Sequence, residues 1–333
     1  MGQLVFRATE INSFRQCRRK WMFESPNCMN LEPKVKSDKL TFGTAWHSAM
    51  EAFYNNLEAS RDEQRTLMHD ALSTSLTENL ASKEAELLHL IIPEVYEERH
   101  MEIQKDFKES LDLGYGMIEA FLDWNTETNH SKGMVLVSTE QRLVIPLGNS
   151  DRFLTTRLDG VVKFGSGYKA GSHWVLEHKS VSKSTNIFNP MFLPLDLQLG
   201  TELLVYNTLA EQEKFEPAIG AVYTMARKQL PSARVRNPII ASHDVYKSKA
   251  ELDNLYWQLH ELTAEMARAI YNPDLCYHNP QIWGGYCTWG CPFVEACEMM
   301  NRDFYYEDYL EENFKSKEGD SELMSNTSEE GDD

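Results

Sequence analysis

The sequence predicts an α/β fold in which helices flank a mixed β-sheet. Three strand-like segments follow one another in the middle of the chain, a helical segment comes next, and a further strand-like segment follows that helix. A run of three strands followed by a helix and another strand folds into an α/β sandwich with a mixed sheet. The chain has 333 residues, enough for one large domain or two modest ones, and its hydrophobic content of 42% fits a sizeable core.

The helices before the sheet are predicted from apolar residues that recur at helical spacing. The first extends from residue 42 to about residue 57. Two longer patterns of polar and apolar residues follow on either side of Pro93, a residue type that ends helices. We expect these two helices, at about 61–127, to form an insertion before the sheet.

The sheet is predicted from apolar segments bounded by glycine-rich turns. The predicted strands are 134–147, 152–164, 173–181, 218–226 and the less clearly patterned 238–245. Two more segments with helical periodicity lie at 195–210 and 251–271.

Three charged residues stand in two neighbouring predicted strands. Asp159 lies in the second strand, and Glu177 and Lys179 lie in the third. Side chains alternate along a strand, so Glu177 and Lys179 point to one face and His178 to the other. If the strands pair, the two carboxylates form an oxygen site for Mg²⁺ or Mn²⁺, and the ammonium can position a water. These are the groups that metal-assisted phosphodiester hydrolysis requires. A D…ExK triplet also arises by chance in many proteins.

The charge of the chain leaves its partner open. The net charge is -18, and half of it lies in residues 306–333, which hold eleven Asp and Glu against two Lys. This composition predicts a disordered acidic tail that solubilises the protein or recruits a recombination or replication partner. Basic clusters elsewhere either contact a phosphate backbone or are ordinary solvated surface; they contain Arg15, Arg18, Arg19, Lys20, Lys34, Lys36, Lys39, Arg227, Lys228, Arg234 and Arg236.

The N-terminus and the hydropathy pattern predict a cytoplasmic protein without a membrane partner. No stretch of eighteen or more apolar residues occurs, and the first residues lack the basic and apolar pattern of a signal peptide.

Six cysteines occur, three of them close together as C-x₃-C-x₅-C at Cys287, Cys291 and Cys297. In an intracellular protein, clustered cysteines favour metal or redox chemistry over disulfides.

The order of these elements, with Asp159 on the second strand and Glu177-His178-Lys179 on the third, resembles the PD-(D/E)XK nuclease superfamily. More narrowly, it is similar to the RecB-like nucleases, which include iron–sulfur exonucleases of CRISPR adaptation and phage recombination nucleases. The resemblance implies a restriction-endonuclease-like core in one domain over residues 1–305, with a helical insertion and a C-terminal cysteine region.

The same resemblance implies a divalent-metal-dependent deoxyribonuclease. The expected activity is an exonuclease that acts on single-stranded DNA or DNA ends in recombination, repair or replication. If a phage encodes the chain, its location would be the host cytoplasm.

The resemblance also implies roles for individual residues. Phe42-GTAWHSAMEAFY matches a Gly-x-x-x-His helix of the family and makes His47 a metal ligand. Asp159 and Glu177 are the implied metal-binding carboxylates, the backbone carbonyl of His178 is a further ligand, and Lys179 is the catalytic lysine. An imidazole ligand suits Mn²⁺ better than Mg²⁺.

A fourth motif matches the family only in part. Gln198 fits the first position of a Gln-x-x-x-Tyr helix, but Glu202 stands four residues later and Tyr206 eight residues later. All three share one helix face. We expect Gln198 to orient DNA or the catalytic lysine, whereas the role of Glu202 stays open.

The cysteine pattern of the family implies a [4Fe–4S] cluster held by Cys17, Cys287, Cys291 and Cys297. Four thiolates meet the requirement of such a cluster, and they would also bind structural Zn²⁺. Either group would connect residue 17 to residues 287–297 and stabilise the fold. Cys28 and Cys276 are left over as ordinary thiols, with Cys276 as a substitute ligand should Cys287 not bind.

Two alternatives to a nuclease remain at this point. One is a catalytically silent iron–sulfur scaffold that binds DNA or a recombination partner. The other is a zinc-stabilised interaction protein in which the D…ExK triplet is fortuitous.

Overall fold

The computed structural model describes residues 3–34, 38–87, 93–230, 239–280, 287 and 290–317. Backbone proximity divides the chain into two compact units. Unit 1 comprises residues 1–36, 143–156 and 249–333, and unit 2 comprises residues 37–142 and 157–248. The single domain over residues 1–305 stays a prediction.

The secondary structure follows the predicted order closely. The strands are β1 (Leu4–Arg7), β2 (Leu31–Pro33), β3 (Met134–Pro146), β4 (Arg152–Phe164), β5 (His173–Val181), β6 (Ala218–Arg227), β7 (Ile240–Tyr246) and β8 (Phe314–Ser316). The α-helices are α1 (Ala8–Gln16), α2 (Arg18–Glu24), α3 (Asp38–Asn55), α4 (Arg61–Leu87), α5 (Pro93–Thr128), α6 (Leu197–Glu213), α7 (Lys249–Tyr271), α8 (Val294–Asn301) and α9 (Glu307–Asn313). Two short 3₁₀ helices lie at Pro190–Leu195 and Pro273–Leu275.

The sheet of unit 2 is mixed, as the sequence predicts. β4 runs antiparallel to β5, with Gly160 opposite Leu176. β5 runs parallel to β6, and β6 runs antiparallel to β7. β3 also pairs with β4. The predicted α/β class, a mixed sheet flanked by helices, is therefore confirmed.

Helices α3, α4 and α5 form the main core of unit 2 together with the sheet. Aromatic residues of α3 and α5 meet edge to face, with the ring centroids of Phe53 and Phe121 4.9 Å apart. Trp174 and Leu176 of β5 belong to the same buried cluster. These even-numbered side chains of β5 thus face the α3 side, which leaves the odd-numbered ones for the other face.

Unit 1 joins the two ends of the chain. β1 runs parallel to the first residues of β4, and β2 pairs antiparallel with β8. Phe293 stacks between Phe23 and Phe314, with centroid distances of 4.9 and 4.5 Å. The aromatic stack holds the N-terminal and C-terminal segments of this unit together.

The prediction of a disordered tail from residue 306 is wrong over its first part. Residues 307–316 form α9 and β8, because Leu310 and Phe314 are buried against Phe293 despite the acidic residues around them. The prediction of disorder used the average composition of the segment, which does not show two apolar residues that are individually buried. Residues 318–333 of the predicted tail lie outside the described residues.

Within the described part of the chain, every helix is too short or too polar to cross a membrane.

Candidate active site

Unit 2 brings His47 of α3 against Asp159 of β4. His47 Nδ1 lies 3.0 Å from Asp159 Oδ1, and Asp159 Oδ2 accepts a 2.7 Å hydrogen bond from the backbone nitrogen of His178. Burial lowers the pKa of His47, but the hydrogen bond and charge of Asp159 outweigh it, so the net pKa is raised. Burial raises the pKa of Asp159, but the contact with His47 lowers it below its usual value. Each partner thus favours the charged form of the other.

Glu177 and Lys179 form an ion pair on the same side of β5. Burial and the charge of Asp159 raise the pKa of Glu177 to about 7, although Lys179 opposes this. Burial lowers the pKa of Lys179, but the attraction of Glu177 outweighs it and the net pKa is raised. Lys179 is therefore an ammonium group in this arrangement, and it can donate hydrogen bonds but not accept a proton.

Gln198 connects this ion pair to α6. Lys179 Nζ donates to Gln198 Oε1 at 3.1 Å, and Gln198 Nε2 donates to Glu177 Oε1 at 3.3 Å and to Glu202 Oε1 at 3.0 Å. Asp196 is the N-cap of α6, and its side chain accepts from the Leu199 nitrogen and so stabilises the first turn, which carries Gln198. The amide thus touches the lysine and both carboxylates at once.

Glu202 is a fully buried member of this network. Its side chain has no exposed surface. Burial, followed by the charges of Glu177 and Asp159, raises its pKa well above the usual range. The physical reason is that a second ionised carboxylate beside Glu177, out of contact with water, would be costly.

The His178 side chain faces away from the carboxylates, as strand alternation predicts. Its ring stacks on Tyr54 of α3, with centroids 5.0 Å apart. Burial lowers the pKa of His178 to about 4, so the imidazole is neutral. Neither ring nitrogen has a hydrogen-bond partner among the described residues. The side chain is a packing element, and only its backbone remains for a role in the site.

Glu140 is a candidate ligand that the sequence did not indicate. Ligand atoms of His47, Glu140 and Asp159 lie within 4.8 Å of one another. Glu140 adopts a left-handed backbone conformation, with φ of 48°, in the middle of β3, and its carboxylate pairs with Arg157. A non-glycine residue in this region is uncommon, and such positions cluster at functional sites. No motif marks Glu140, because its position depends on the pairing of β3 with β4.

These residues fit a divalent cation. His47 of α3, Glu140 of β3 and Asp159 of β4 supply nitrogen and oxygen donors of the kind that Mn²⁺ and Mg²⁺ accept, whereas Glu177 does not belong to this close group. The buried Oε2 of Glu177 has no hydrogen-bond partner among the described residues. It is therefore an unsatisfied acceptor that a proton or a cation would satisfy.

A family model of the PD-(D/E)XK nuclease superfamily matches residues 6–298. The chain belongs to this superfamily. No curated protein matches it with significant similarity. Membership implies a metal-dependent nuclease, and the group of His47, Glu140 and Asp159 is a place where such a metal could bind.

In this PD-(D/E)XK nuclease, the residues predicted from sequence converge in unit 2. His47 contacts Asp159, and Glu177, Lys179 and Gln198 contact one another. The hydrogen bond from the His178 backbone nitrogen to Asp159 places the two groups side by side. Tyr206, the aromatic residue of the fourth motif, lies elsewhere: its hydroxyl is 3.4 Å from His173 at the start of β5. Glu202 therefore takes the place in the network that the spacing of the motif would give to a tyrosine.

The predicted cysteine ligands lie in unit 1. Arg19, two residues after Cys17, donates to the sulfur and the carbonyl oxygen of Cys297 at 3.4 Å. Burial raises the pKa of Cys291 to about 11, and the nearby Cys17 contributes in the same direction. Cys17, Cys291 and Cys297 thus lie in one region. Cys287 is half-buried, and most residues around it lie outside the described part of the chain.

These sulfurs do not form a group tight enough for a single ion in the described residues. The three-residue group within 4.8 Å is that of His47, Glu140 and Asp159, and it contains no cysteine. Two sulfurs on one Zn²⁺, each at about 2.3 Å, would lie within about 4.6 Å of each other. Cys276 is buried and its thiol donates to the Ala269 carbonyl at 3.8 Å, which agrees with an ordinary thiol.

Proposed function

We propose that this protein is a divalent-metal-dependent deoxyribonuclease that hydrolyses phosphodiester bonds. The observation that carries the proposal is that a His47–Asp159 pair and a Glu177–Lys179–Gln198 group lie in one unit. The two groups are joined by the hydrogen bond from the backbone nitrogen of His178 to Asp159. Each of these side chains is buried or half-buried and is held by a hydrogen bond or an ion pair, as a preorganised catalytic site requires. A decayed site would not be expected to keep all five.

The roles follow from the chemistry of each group. His47, Asp159 and Glu140, whose ligand atoms lie within 4.8 Å of one another, would hold Mg²⁺ or Mn²⁺. Glu177 and the His178 carbonyl are the further ligands that the family motif implies. A bound ion supplies Lewis-acid stabilisation of the phosphate and makes a bound water more acidic. Lys179 orients the attacking water or stabilises negative charge on the phosphate through its ammonium hydrogens. It could help to remove a proton from that water only after losing its own.

Gln198 positions Lys179. Its Oε1 accepts from the ammonium, while its two amide hydrogens are directed at carboxylates, so the amide has one preferred orientation. Gln198 was also predicted to contact DNA, and the same half-exposed amide is compatible with that role.

We further propose that the enzyme is a RecB-like exonuclease that acts on single strands or DNA ends in recombination, repair or replication. Support comes from the order of the four motifs along residues 42–206 and from the cysteines at both ends of the matched region. The location proposed for it is the cytoplasm.

We propose a [4Fe–4S] cluster on Cys17, Cys287, Cys291 and Cys297, with structural Zn²⁺ as the alternative. The contact of Arg19 with Cys297 supports it, because an arginine beside a thiolate sulfur stabilises its negative charge. The group would connect Cys17, the residue before α2, to Cys297 of α8 within unit 1, and would serve stability and not electron transfer.

The test is cleavage of end-labelled single-stranded and duplex DNA with Mn²⁺, Mg²⁺ or EDTA. We expect metal-dependent cleavage by the wild type and by Lys163→Ala, an exposed lysine on the same strand as Asp159, and a loss of at least about a hundredfold for Lys179→Ala. Equal cleavage by wild type and Lys179→Ala would refute the mechanism. DNA binding without metal-dependent cleavage would favour the silent scaffold.

A further inference from the structure

The segment that joins the strand of Lys179 to the helix of Gln198 exposes large apolar side chains. We call residues 188–195 the apolar loop. The exposed fractions are 44% for Phe188, 66% for Met191, 69% for Phe192 and 79% for Leu195. Four such residues within eight positions form an apolar patch, and exposed apolar patches mark interaction sites on soluble proteins.

The backbone of the apolar loop is held in place. His243 Nε2 donates to the Ile187 carbonyl at 2.7 Å, and Ile187 itself is completely buried. Asn189 Oδ1 accepts from the Met191 nitrogen at 3.2 Å and caps the 3₁₀ helix. Lys247 bonds to the Pro194 carbonyl. The exposed side chains therefore sit on an ordered scaffold, which reduces the entropy lost when a ligand binds.

Polar and positively charged groups border the apolar loop. Ser182, Lys183 and Ser184 follow directly after β5 and are all exposed. Arg227 donates to the Thr185 carbonyl at 2.9 Å, and its guanidinium lies 5.6 Å from the centre of the Phe188 ring. Lysine, serine and arginine are the residue types that contact phosphates, and exposed aromatic rings stack on bases.

We propose that the apolar loop binds the unpaired bases of a DNA single strand whose backbone passes through the catalytic site. The inference rests on the proposed nuclease function and names the element that selects its substrate. The loop begins nine residues after Lys179 and ends three residues before Gln198, so both of its ends are tied to the network that would act on the phosphate.

The combination of groups favours DNA over a protein partner. A protein partner would explain the apolar residues but not the Ser182-Lys183-Ser184 sequence and Arg227 beside them. In a duplex the base faces are stacked on one another and are not available to Phe188 or Phe192. The apolar loop would therefore discriminate in favour of single strands and frayed ends.

The test compares Phe192→Ala and the double variant Met191→Ala/Phe192→Ala with a matched control. Phe304→Ala removes another exposed phenylalanine, 57% exposed against 69% for Phe192, from unit 1. All variants carry Lys179→Ala, and binding of a fluorescent oligonucleotide is measured with Ca²⁺ so that cleavage does not interfere. Thermal melting of each variant excludes a folding defect.

We expect Phe192→Ala to weaken binding of a single strand by about fivefold to a hundredfold, as for loss of one stacked base. Binding of a blunt duplex should change by less than about twofold, and the control should match the parent. An oligonucleotide with consecutive abasic sites should bind the parent as weakly as the intact strand binds Phe192→Ala, and it should not distinguish the two proteins.

Equal affinity of parent and loop variants for the intact strand would overturn the proposal. So would a loss that is the same for intact and abasic strands. A change in self-association, measured by light scattering, with DNA binding unaltered would assign the loop to contacts between copies of the chain instead. Failure of the wild type to cleave DNA would refute the nuclease function separately, because these binding measurements do not depend on cleavage.

Discussion

Gln198 Nε2 donates to Glu202 Oε1 at 3.0 Å, one turn further along α6. This contact, together with the bond to Glu177, occupies both amide hydrogens of Gln198 and leaves its oxygen for Lys179. Glu202 therefore acts on the lysine indirectly, as a positioning residue that fixes which way the amide points.

We expect Glu202→Leu to lower kcat by about tenfold to a hundredfold, in the range seen for residues behind a site's primary ligands. Its KM for DNA should change little, because Glu202 is buried and cannot touch the substrate. Glu202→Gln keeps an acceptor oxygen and should restore most of the activity. Steady-state kinetics of the three proteins check this, and a Glu202→Gln variant as slow as Glu202→Leu would count against positioning.

Glu202 should also make the metal-free protein less stable as pH rises. Above pH 4.5 the unfolded carboxyl releases its proton, while the folded one, whose pKa is raised well above that value, keeps it. The unfolded state then binds fewer protons, so the free energy of unfolding falls with rising pH until the folded carboxyl ionises as well. Thermal melts in EDTA should show a smaller decline for Glu202→Gln than for the wild type. Parallel curves would mean that Glu202 is ionised in the folded protein.

Glu140 should strengthen metal binding. Its carboxylate lies with His47 and Asp159 in a group spanning no more than 4.8 Å, so Glu140→Gln removes one negative charge from the donor set. We expect Mn²⁺ affinity to fall by about tenfold or more, as measured by calorimetry or by electron paramagnetic resonance of free Mn²⁺. Glu58→Gln, at an exposed position after α3, is the matched control and should bind like the wild type. Unchanged affinity in Glu140→Gln would exclude Glu140 as a ligand.

His178 should contribute to acid sensitivity but not to catalysis through its side chain. Its pKa is lowered to about 4 by burial, so between pH 6.5 and 4 the unfolded state takes up a proton that the folded state does not. Stability conferred by the neutral ring is complete above pH 6.5 and is lost as pH falls through this window. His178→Leu should therefore lose less stability than the wild type between pH 7.5 and 5 while it still cleaves DNA. A large loss of cleavage at unchanged stability would assign the imidazole a direct role.

The iron–sulfur proposal predicts a brown protein when it is purified without oxygen. Cys291→Ser should lose the visible absorption and melt at a lower temperature, whereas Cys276→Ser should keep the colour, because its thiol is already bonded to the Ala269 carbonyl. Iron, sulfide and zinc analysis separates the two cofactors. A colourless wild type that contains zinc would replace the cluster with a structural zinc site.

The sequence by itself determined the strands and the residues that they carry. Apolar runs bounded by glycine-rich turns predicted β4 and β5. The placement of Glu177 and Lys179 on one side and His178 on the other then followed from the alternation of side chains along a strand. Local motifs identified His47, Asp159 and Gln198, because each of these residues stands at a position that a family motif specifies. Only the family motifs, and not the strand period, connected these distant segments to one site.

The tertiary structure decided what depends on distant pairing and burial. Glu140 joins His47 and Asp159 because β3 pairs with β4 and its backbone takes a left-handed conformation, and neither leaves a local pattern. Glu202 became part of the contacts around Gln198 because α6 buries it completely beside Glu177, which raises its pKa. Residues 307–316 fold despite their acidity, because Leu310 and Phe314 reach an apolar cluster that composition cannot reveal. In each case the stabilising contact is made with residues far away in the chain. A local sequence pattern does not contain the information that these residues come together.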